Sequence, residues 1–241
     1  MQYGISFDFW NTLFGNGPES HRHKLRIQYF HRIITNYKKY RYKTVAAVFD
    51  ASLEFFVNEW QKKQRTPTPR ERIKYMTKIL AVDINDDDID KIAHYFGNLI
   101  FQIPPQDIPS VHKVVAQLSN KYPLGIISDT GYISGIYIRR FLEKEKMLSF
   151  FQSLLFSDEQ INCKPHSSVF LLTCDNLGVD PSELIHIGDL EKTDVEGAKN
   201  SGCISIKFTG IHTNPSSDSH ADYIIDNYEM LPKLIDTIVN S

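Results

Sequence analysis

The sequence of 241 residues lacks the features of several special classes of protein. Its three cysteines, Cys163, Cys174 and Cys203, have no metal-type spacing and do not make an even set for disulfide pairing. No apolar run approaches the ~20 residues of a membrane span, and residues 1–4 lack the basic stretch that opens a signal peptide. We therefore expect buried thiols in a cytoplasmic protein that has no membrane partner.

The sequence also has little excess charge of either sign. Its 27 Lys and Arg residues and 29 Asp and Glu residues leave a formal net charge of −2. Nucleic-acid-binding domains usually carry a basic excess, so no nucleic-acid partner is expected. The basic segment 38–43, which has interleaved tyrosines, is accordingly interpreted as a surface loop. Nothing in the sequence indicates an oligomeric state.

The first half of the chain predicts one strand and then a helical region. An apolar run that starts near Tyr3 indicates a short buried strand ending at Asp8. From about position 20 to position 101, apolar residues recur at helical spacing in four stripes. The proline-rich segment 103–109 then separates this region from the rest of the chain.

Beyond position 109 the pattern changes to alternating helices and strands. Strands are predicted at 124–127, 154–156, 184–187, 204–206 and 223–225, with helices between them. Such alternation predicts an α/β fold with a doubly wound parallel sheet. The expected organisation is a core of residues 1–14 and 106–241, interrupted by an all-helical insertion at 15–105.

Polar side chains follow the predicted strands at the edge where open α/β sheets bind ligands. Asp8 follows the first strand, and a carboxylate there can attack phosphorus or carbon as a covalent nucleophile. Ser128 and Asp129 open a polar turn before a helix predicted from Tyr132. The hydroxyl and N–H groups of that turn can hold phosphate oxygens, with help from the helix N-terminus.

Two later segments complete this set. Lys164 precedes Pro165, which keeps it out of helical geometry and can direct its ammonium group at a carboxylate or a phosphate. Asp189 and Asp194 follow the strand at 184–187 and, with Asp8, can bind Mg²⁺. Each feature alone is also typical of a helix cap or an exposed loop. Their occurrence in this order, each after a strand, is strong evidence for a single site.

In this order the motifs resemble those of the haloacid dehalogenase superfamily of hydrolases over essentially the whole chain. The matching residues are Asp8 as the nucleophile, Thr12 as the phosphate-contacting threonine, Ser128 as the hydroxyl of the second motif, Lys164 as the lysine of the third, and Asp189 and Asp194 as the acids of the fourth. The resemblance implies a Rossmann-like sheet and a helical cap that closes over the site.

The resemblance further implies a Mg²⁺-dependent phosphatase that acts on a small phosphorylated metabolite through an aspartyl-phosphate on Asp8. The residues expected to bind the substrate are Thr12, Ser128, Asp129 and Lys164. The expected metal ligands are Asp8, the backbone carbonyl of Trp10, Asp189 and Asp194.

Trp10 departs from the family's pattern. Phosphatases of the family carry at this position a second aspartate, which protonates the leaving group and then activates water. General acid–base catalysis contributes typically ~10²–10⁴-fold in rate, so a tryptophan here matters. Another acid such as Glu191, or a substrate with a good leaving group, would keep the protein a phosphatase.

Two alternatives stay open. One is a catalytically silent protein that binds a phosphorylated ligand, and the other is a metal-independent 2-haloacid dehalogenase. Dehalogenases of the family lack the acidic pair present here as Asp189 and Asp194, and buried like charges repel unless a cation lies among them. Because this acidic pair is present, we rank the phosphatase first, the silent binder second and the dehalogenase third.

The cationic segment 21–26 lies just past the first glycine-rich break. We interpret it as a solvated helix face, the alternative being that it faces an anionic substrate when the cap closes.

Overall fold

The computed structural model describes residues 2–211 and 218–240. The strands are β1 (Gly4–Phe7), β2 (Phe14–Gly15), β3 (Gln106–Asp107), β4 (Leu124–Ser128), β5 (Phe151–Phe156), β6 (Leu184–Gly188), β7 (Ile204–Phe208) and β8 (Tyr223–Ile225). The helices are α1 (Glu19–Thr35), α2 (Tyr42–Lys63), α3 (Pro69–Ile79), α4 (Asp86–Gln102), α5 (Val111–Ser119), α6 (Gly135–Lys144), α7 (Ser167–Leu177), α8 (Glu196–Asn200) and α9 (Leu231–Val239).

Six strands form a parallel sheet in the order β5-β4-β1-β6-β7-β8. Its central strands β1, β4 and β6 are buried along their whole length because helices cover both faces. Phe7 and Ile126 lie in a cluster with α5, α6 and α9, whereas Ile127 lies in a second cluster with α7 and α8. The predicted α/β fold with a doubly wound, Rossmann-like parallel sheet is confirmed.

Helices α1 to α4 lie between β2 and β3 and bury their apolar stripes in a third cluster, which also includes Tyr132 from the loop before α6. Helix α3 begins with a capping box, in which Thr68 and Glu71 satisfy each other's backbone N–H groups. Strands β2 and β3 pair antiparallel, so the chain enters and leaves the insertion side by side. Its division from the core at residues 15–105 stays a prediction.

The segment after β4 differs from the prediction. Helix α6 begins at Gly135 rather than at Tyr132, and the Gly135 N–H donates to Asp158 Oδ1 at 3.0 Å. The Thr130 hydroxyl donates to the same oxygen at 2.8 Å. We expected this helix N-terminus to help bind a phosphate. Asp158 occupies it instead.

Other expectations concern the surface and the thiols. In the described part of the chain no helix has the length and apolarity needed to cross a membrane. The three cysteines are buried and unbridged, as predicted. Residues 38–41 lie between α1 and α2, and residues 42 and 43 open α2. The segment is exposed apart from the half-buried Tyr40, so it lies at the surface as predicted, although its last two residues are helical.

Candidate active site

The carboxyl ends of β1, β4 and β6 meet at the middle of the sheet. Strand β1 lies between the other two, so the strand order reverses there, which is where open α/β sheets form ligand sites. The N–H of Asp8 donates to the carbonyl of Ile187 at 2.8 Å, which ties the end of β1 to β6. A cavity of about 250 Å³ opens at this edge, and the predicted residues that line it are Asp8, Trp10, Asp129, Lys164, Asp189 and Asp194.

Lys164 lies between two of these carboxylates. Its Nζ is 2.7 Å from Asp8 Oδ1 and 2.5 Å from Asp194 Oδ1, and all three side chains are buried. Desolvation alone would lower the pKa of Lys164, but the surrounding carboxylates raise it above its ordinary value. The lysine therefore stays protonated and directs its charge at the carboxylates, as its place before Pro165 predicted.

Asp194 is held entirely by protein donors. Besides Lys164, its Oδ1 is 3.2 Å from His186 Nε2, and its Oδ2 accepts the N–H of Leu190 at 2.9 Å. Burial would raise the pKa of Asp194, but Lys164 and His186 hold it well below the ordinary value. Asp194 thus fixes the position of Lys164, and its place on a metal stays a prediction.

His186 belongs to the site although the sequence analysis did not single it out. It lies directly opposite Ser6 in the pairing of β1 with β6, and its Nδ1 is 2.9 Å from Ser6 Oγ. Burial lowers the pKa of His186, which favours the neutral ring. Two polar residues on adjacent buried strands were the available signal, but only the strand register shows that they meet.

The remaining carboxylates leave the cavity with surplus negative charge. Burial raises the pKa of Asp8 to about 7, with Asp194 and Asp189 adding to the rise and Lys164 opposing it. Burial also raises the pKa of Asp189 to about 7, again with the charge of Asp194 contributing. Asp8, Asp189 and Asp194 line one cavity with Lys164, and carboxylates gathered in a buried site are an arrangement that a bound cation would stabilise.

These residues fit Mg²⁺ better than they fit a closed metal cage. The described residues contain no group of three or more His, Cys, Asp or Glu side chains arranged to hold an ion. Mg²⁺ usually takes one or two carboxylates and completes its shell with water and substrate oxygens. Asp8, Asp189 and the Trp10 carbonyl could supply such a partial shell.

Two hydroxyls predicted to bind phosphate find no hydrogen-bond partner within residues 2–211 and 218–240. Thr12 Oγ1 and Ser128 Oγ are buried and form no hydrogen bond with any described residue. Leaving a buried hydroxyl unpaired costs about 1–3 kcal/mol, and such groups are expected where a ligand atom completes the bond. Neither side chain lines the 250 Å³ cavity, so contact with a ligand requires a small rearrangement.

Comparison with known proteins then assigns the family. Residues 7–208 match the family described as haloacid dehalogenase-like hydrolase. The chain belongs to this family. This confirms the family that was predicted from the order of Asp8, Ser128, Lys164 and Asp189 along the chain, whereas the roles of these residues stay a prediction.

Curated relatives of the haloacid dehalogenase-like chain include phosphatases. It is 32% identical to rat N-acylneuraminate-9-phosphatase over 94 residues, which is 37% of each chain. It is 29% identical to glyceraldehyde 3-phosphate phosphatase of Pyrococcus furiosus over 142 residues, which is 55% of each chain. The chain therefore spans between about a third and just over half of the length of these relatives.

The fold is shared with a differently named enzyme. The crystal structure of a 2-haloacid dehalogenase from Pseudomonas syringae matches with a TM-score of 0.73 and 17% identity, covering 98% of this chain and 99% of that chain. At this identity the likeness is one of fold. The choice between attack on phosphorus and attack on carbon therefore has to come from the residues of the site.

Trp10, the departure from the family's pattern, stands between two cavities. Besides the cavity at Asp8 it lines a second one of about 500 Å³ beneath the helical insertion. Its ring packs edge-on against Phe9 at 4.8 Å and lies under the guanidinium of Arg22 at 5.6 Å. The indole thus forms part of the wall where the two cavities adjoin.

Asp129 lines the same two cavities and is anchored from both sides. Its Oδ2 accepts the indole N–H of Trp60 at 2.8 Å, and its Oδ1 accepts the backbone N–H of Lys164 at 3.2 Å. Burial raises the pKa of Asp129 to about 6, with Lys164 and Trp60 opposing and Asp8 adding to the rise. Trp60, which lies on α2, therefore links the insertion to the site.

Glu191, the acid named from sequence, lies elsewhere. Its carboxylate accepts bonds from Lys207 at 2.7 Å, Ser219 at 2.8 Å and the His220 N–H at 2.7 Å. It lines neither of the two cavities. These partners engage Glu191 away from the carboxylates, so it is not placed to serve as the acid.

The expectation that segment 21–26 forms a solvated face is wrong for its two arginines. Arg22 is 0% exposed and Arg26 is 2% exposed. Arg22 donates to the carbonyl of Ile103 at 3.0 Å and to the side chain of Asn16 at 2.6 Å. It therefore connects the segment that enters the helical insertion with the segment that leaves it. Arg26 lines the larger cavity.

Proposed function

We propose that the protein is a Mg²⁺-dependent phosphatase of small phosphorylated metabolites that acts through an aspartyl-phosphate on Asp8. The observation that carries this proposal is a surplus of acidic groups: Asp8, Asp189 and Asp194 line one cavity, in which Lys164 forms ion pairs with Asp8 and Asp194. A metal-independent dehalogenase has no use for that surplus. The unpaired hydroxyls of Thr12 and Ser128 further support a ligand rich in acceptor oxygens.

In the first step Asp8 attacks phosphorus, and the bond from phosphorus to the leaving oxygen breaks. Lys164, Thr12 and Ser128 bind the phosphoryl oxygens, where fixed donors stabilise the charge of the transition state. When bound by Asp8, Asp189 and the Trp10 carbonyl, with Asp194 beside them, Mg²⁺ would supply the positive charge that offsets the approaching phosphate. This step needs a proton for the leaving oxygen.

We assign that proton to Asp129, which takes over the task that Trp10 cannot perform. Its place on both cavities and its pKa of about 6 support the role, because an acid is most effective near the working pH. In the second step Asp129 takes a proton from the attacking water, and the bond between phosphorus and Asp8 breaks. Inorganic phosphate and the free carboxylate are the products.

The first test is phosphate release from p-nitrophenyl phosphate and acetyl phosphate, with Mg²⁺ and with EDTA. We expect release that requires Mg²⁺ and disappears in Asp8→Asn, whereas Asp50→Asn, an exposed change on α2, retains it. Release in EDTA, or full activity of Asp8→Asn, would refute the mechanism. Halide release from 2-haloacids in EDTA would instead indicate the dehalogenase.

The role of Asp129 has its own test. Asp129→Asn should lower the hydrolysis of an alkyl phosphate by about 10²-fold or more and that of acetyl phosphate much less, because an acyl phosphate has a good leaving group. Equal losses on both substrates would contradict an acid role.

A silent binder is the second candidate, and the position of Trp10 between the two cavities favours it. Such a protein would bind Mg²⁺ and vanadate, detected by calorimetry, and would release no phosphate from either test substrate.

A further inference from the structure

We infer that the 500 Å³ cavity beneath the helical insertion binds a second anionic group of the substrate through Arg26 and Arg72. The substrates would then be phosphate monoesters that carry a carboxylate or another phosphate at their far end. This inference rests on the proposed function only in that the phosphoryl group lies at Asp8. Hereafter this space is called the arginine cavity.

The arginine cavity adjoins the cavity at Asp8. The two share Trp10, Phe56 and Asp129 as lining residues. A ligand whose phosphoryl group lies at Asp8 therefore extends into the arginine cavity. Phe49, Leu53 and Phe56 form its apolar wall, which suits a short carbon chain between two polar ends.

Arg26 is a buried guanidinium with incomplete hydrogen bonding. It is 2% exposed, and its Nη1 pairs with Glu19. Its Nε is buried and has no hydrogen-bond partner within residues 2–211 and 218–240. Together with Thr12 Oγ1 and Ser128 Oγ, it makes up the set of unpartnered buried side-chain atoms found there, and it is the one at the arginine cavity.

Arg72, which the sequence analysis did not single out, is a buried cation whose hydrogen bonds go to neutral groups. It is 5% exposed, and its guanidinium bonds to the hydroxyl of Ser52 at 3.1 Å and to the Ser52 carbonyl at 3.5 Å. Among the described residues it has no carboxylate within ion-pairing distance. A buried charge without a counterion is costly, and an anionic ligand would offset that cost.

Both guanidinium groups lie against the ring of Tyr132. The central carbons of Arg72 and Arg26 are 3.6 and 5.1 Å from the ring centroid. The phenol oxygen of Tyr132 is fixed 2.9 Å from Ser52 Oγ, so the ring is a rigid support. Burial lowers the pKa of Arg72, and the like charge of Arg26 adds to this decrease.

The acidic residues lining the arginine cavity already have partners. Glu19 pairs with both Arg22 and Arg26, and Asp129 accepts bonds from Trp60 and from the backbone of Lys164. Guanidinium groups bind carboxylates and phosphates in forked geometry, so these two anions share the chemistry of the site. The bound anion is expected to lie between Arg26 and Arg72.

The test is calorimetric binding to the Asp8→Asn protein with Mg²⁺, because binding does not depend on turnover. The first pair of ligands is 3-phosphoglycerate and glycerol 3-phosphate, which differ in a carboxylate against a hydroxymethyl group. The second pair is propane-1,3-diol bisphosphate and 3-hydroxypropyl phosphate, which tests a second phosphate. In at least one pair, we expect the ligand that carries the second anionic group to bind about tenfold tighter or more. The pair with the larger ratio identifies the anion.

Methionine is an unbranched, uncharged replacement that keeps the length of the aliphatic part of each arginine and removes the guanidinium. Arg72→Met and Arg26→Met should each bring this preference close to one, whereas Arg41→Met, an exposed change before α2, should leave it intact. Because Arg72→Met removes a buried charge without an ion-pair partner, the melting temperature of the ligand-free protein should not fall. A ratio near one in the parent protein, or a preference retained in both cavity variants, would overturn the inference.

The two proposals fail separately. Anion preference without phosphate release by the unmutated protein would refute the phosphatase and support the arginine cavity. Phosphate release without anion preference would support the phosphatase and refute anion binding in the arginine cavity.

Discussion

Replacing Ser128 by alanine should affect stability and activity in opposite directions. Ser128 is 1% exposed at the end of β4, and its Oγ has no hydrogen-bond partner among the described residues. In the ligand-free protein the hydroxyl has therefore been taken out of water without compensation. Removing it should not destabilise the protein, although an ordinary buried serine would give the opposite result.

The magnitudes follow from the cost of an unpaired hydroxyl. Burying one costs about 1–3 kcal/mol, and 1 kcal/mol shifts the melting temperature of a protein of this size by about 2–4 °C. Ser128→Ala should thus leave the melting temperature unchanged or raise it by a few degrees. A hydrogen bond to a charged group contributes about 1.5–3 kcal/mol, so kcat/KM for phosphate release should fall by about one to two orders of magnitude.

Ser157 provides a matched control. It is also buried, but its Oγ accepts bonds from the Thr66 hydroxyl at 2.5 Å and from the Thr130 N–H at 2.8 Å. Ser157→Ala leaves those donors unpaired and should lower the melting temperature by several degrees. Both serines lose the same atom, so the comparison isolates the effect of the missing partner.

The assay combines thermal unfolding, with and without Mg²⁺ and vanadate, with initial rates of phosphate release. Ser128→Ala should also lose part of the stabilisation that vanadate gives the parent protein. If Ser128→Ala melted as low as Ser157→Ala, or kept full kcat/KM, the assignment of its hydroxyl to the phosphoryl group would be refuted.

Three further changes test the rest of the site. Lys164→Met breaks a buried ion-pair cluster and should cost about 3–5 kcal/mol. In urea unfolding this loss should be larger at pH 8 than at pH 5. Carboxyls whose pKa is raised in the folded state bind protons there, and the stabilisation that this protonation provides is lost as the pH rises. Equal losses at the two pH values would contradict this. Trp60→Phe removes a hydrogen-bond donor to Asp129 and should raise the pKa of Asp129 above about 6. The basic limb of the pH profile of kcat/KM for an alkyl phosphate should then move to higher pH. An unchanged basic limb would argue against the acid role of Asp129. Trp10→Asp in the Asp129→Asn background should restore alkyl phosphate hydrolysis by about tenfold or more, and no recovery would show that the missing acid is not the limitation.

Local patterns in the sequence were sufficient to predict the fold class and the residues at the strand ends. Asp8, Ser128 and Asp189 each follow a short apolar run, and parallel strands bring their carboxyl ends to one edge of a sheet whatever their separation along the chain. The place of Lys164 before Pro165 likewise predicted an ammonium directed at a carboxylate. These predictions succeeded because they depend on periodicity and strand direction, which neighbouring residues set.

The partners of the polar side chains could not be predicted in this way. Arg26 lies in a basic run that would be solvated on an isolated helix, and it is buried because α1 packs over the loop that carries Tyr132. His186 meets Ser6 only through the register of β1 with β6, and Trp60 meets Asp129 only because α2 lies over the carboxyl edge of the sheet. The sequence by itself therefore determined the elements and the strand ends at which chemistry can occur. The tertiary structure alone decided which charges are buried and paired, because that depends on contacts between residues far apart in the chain.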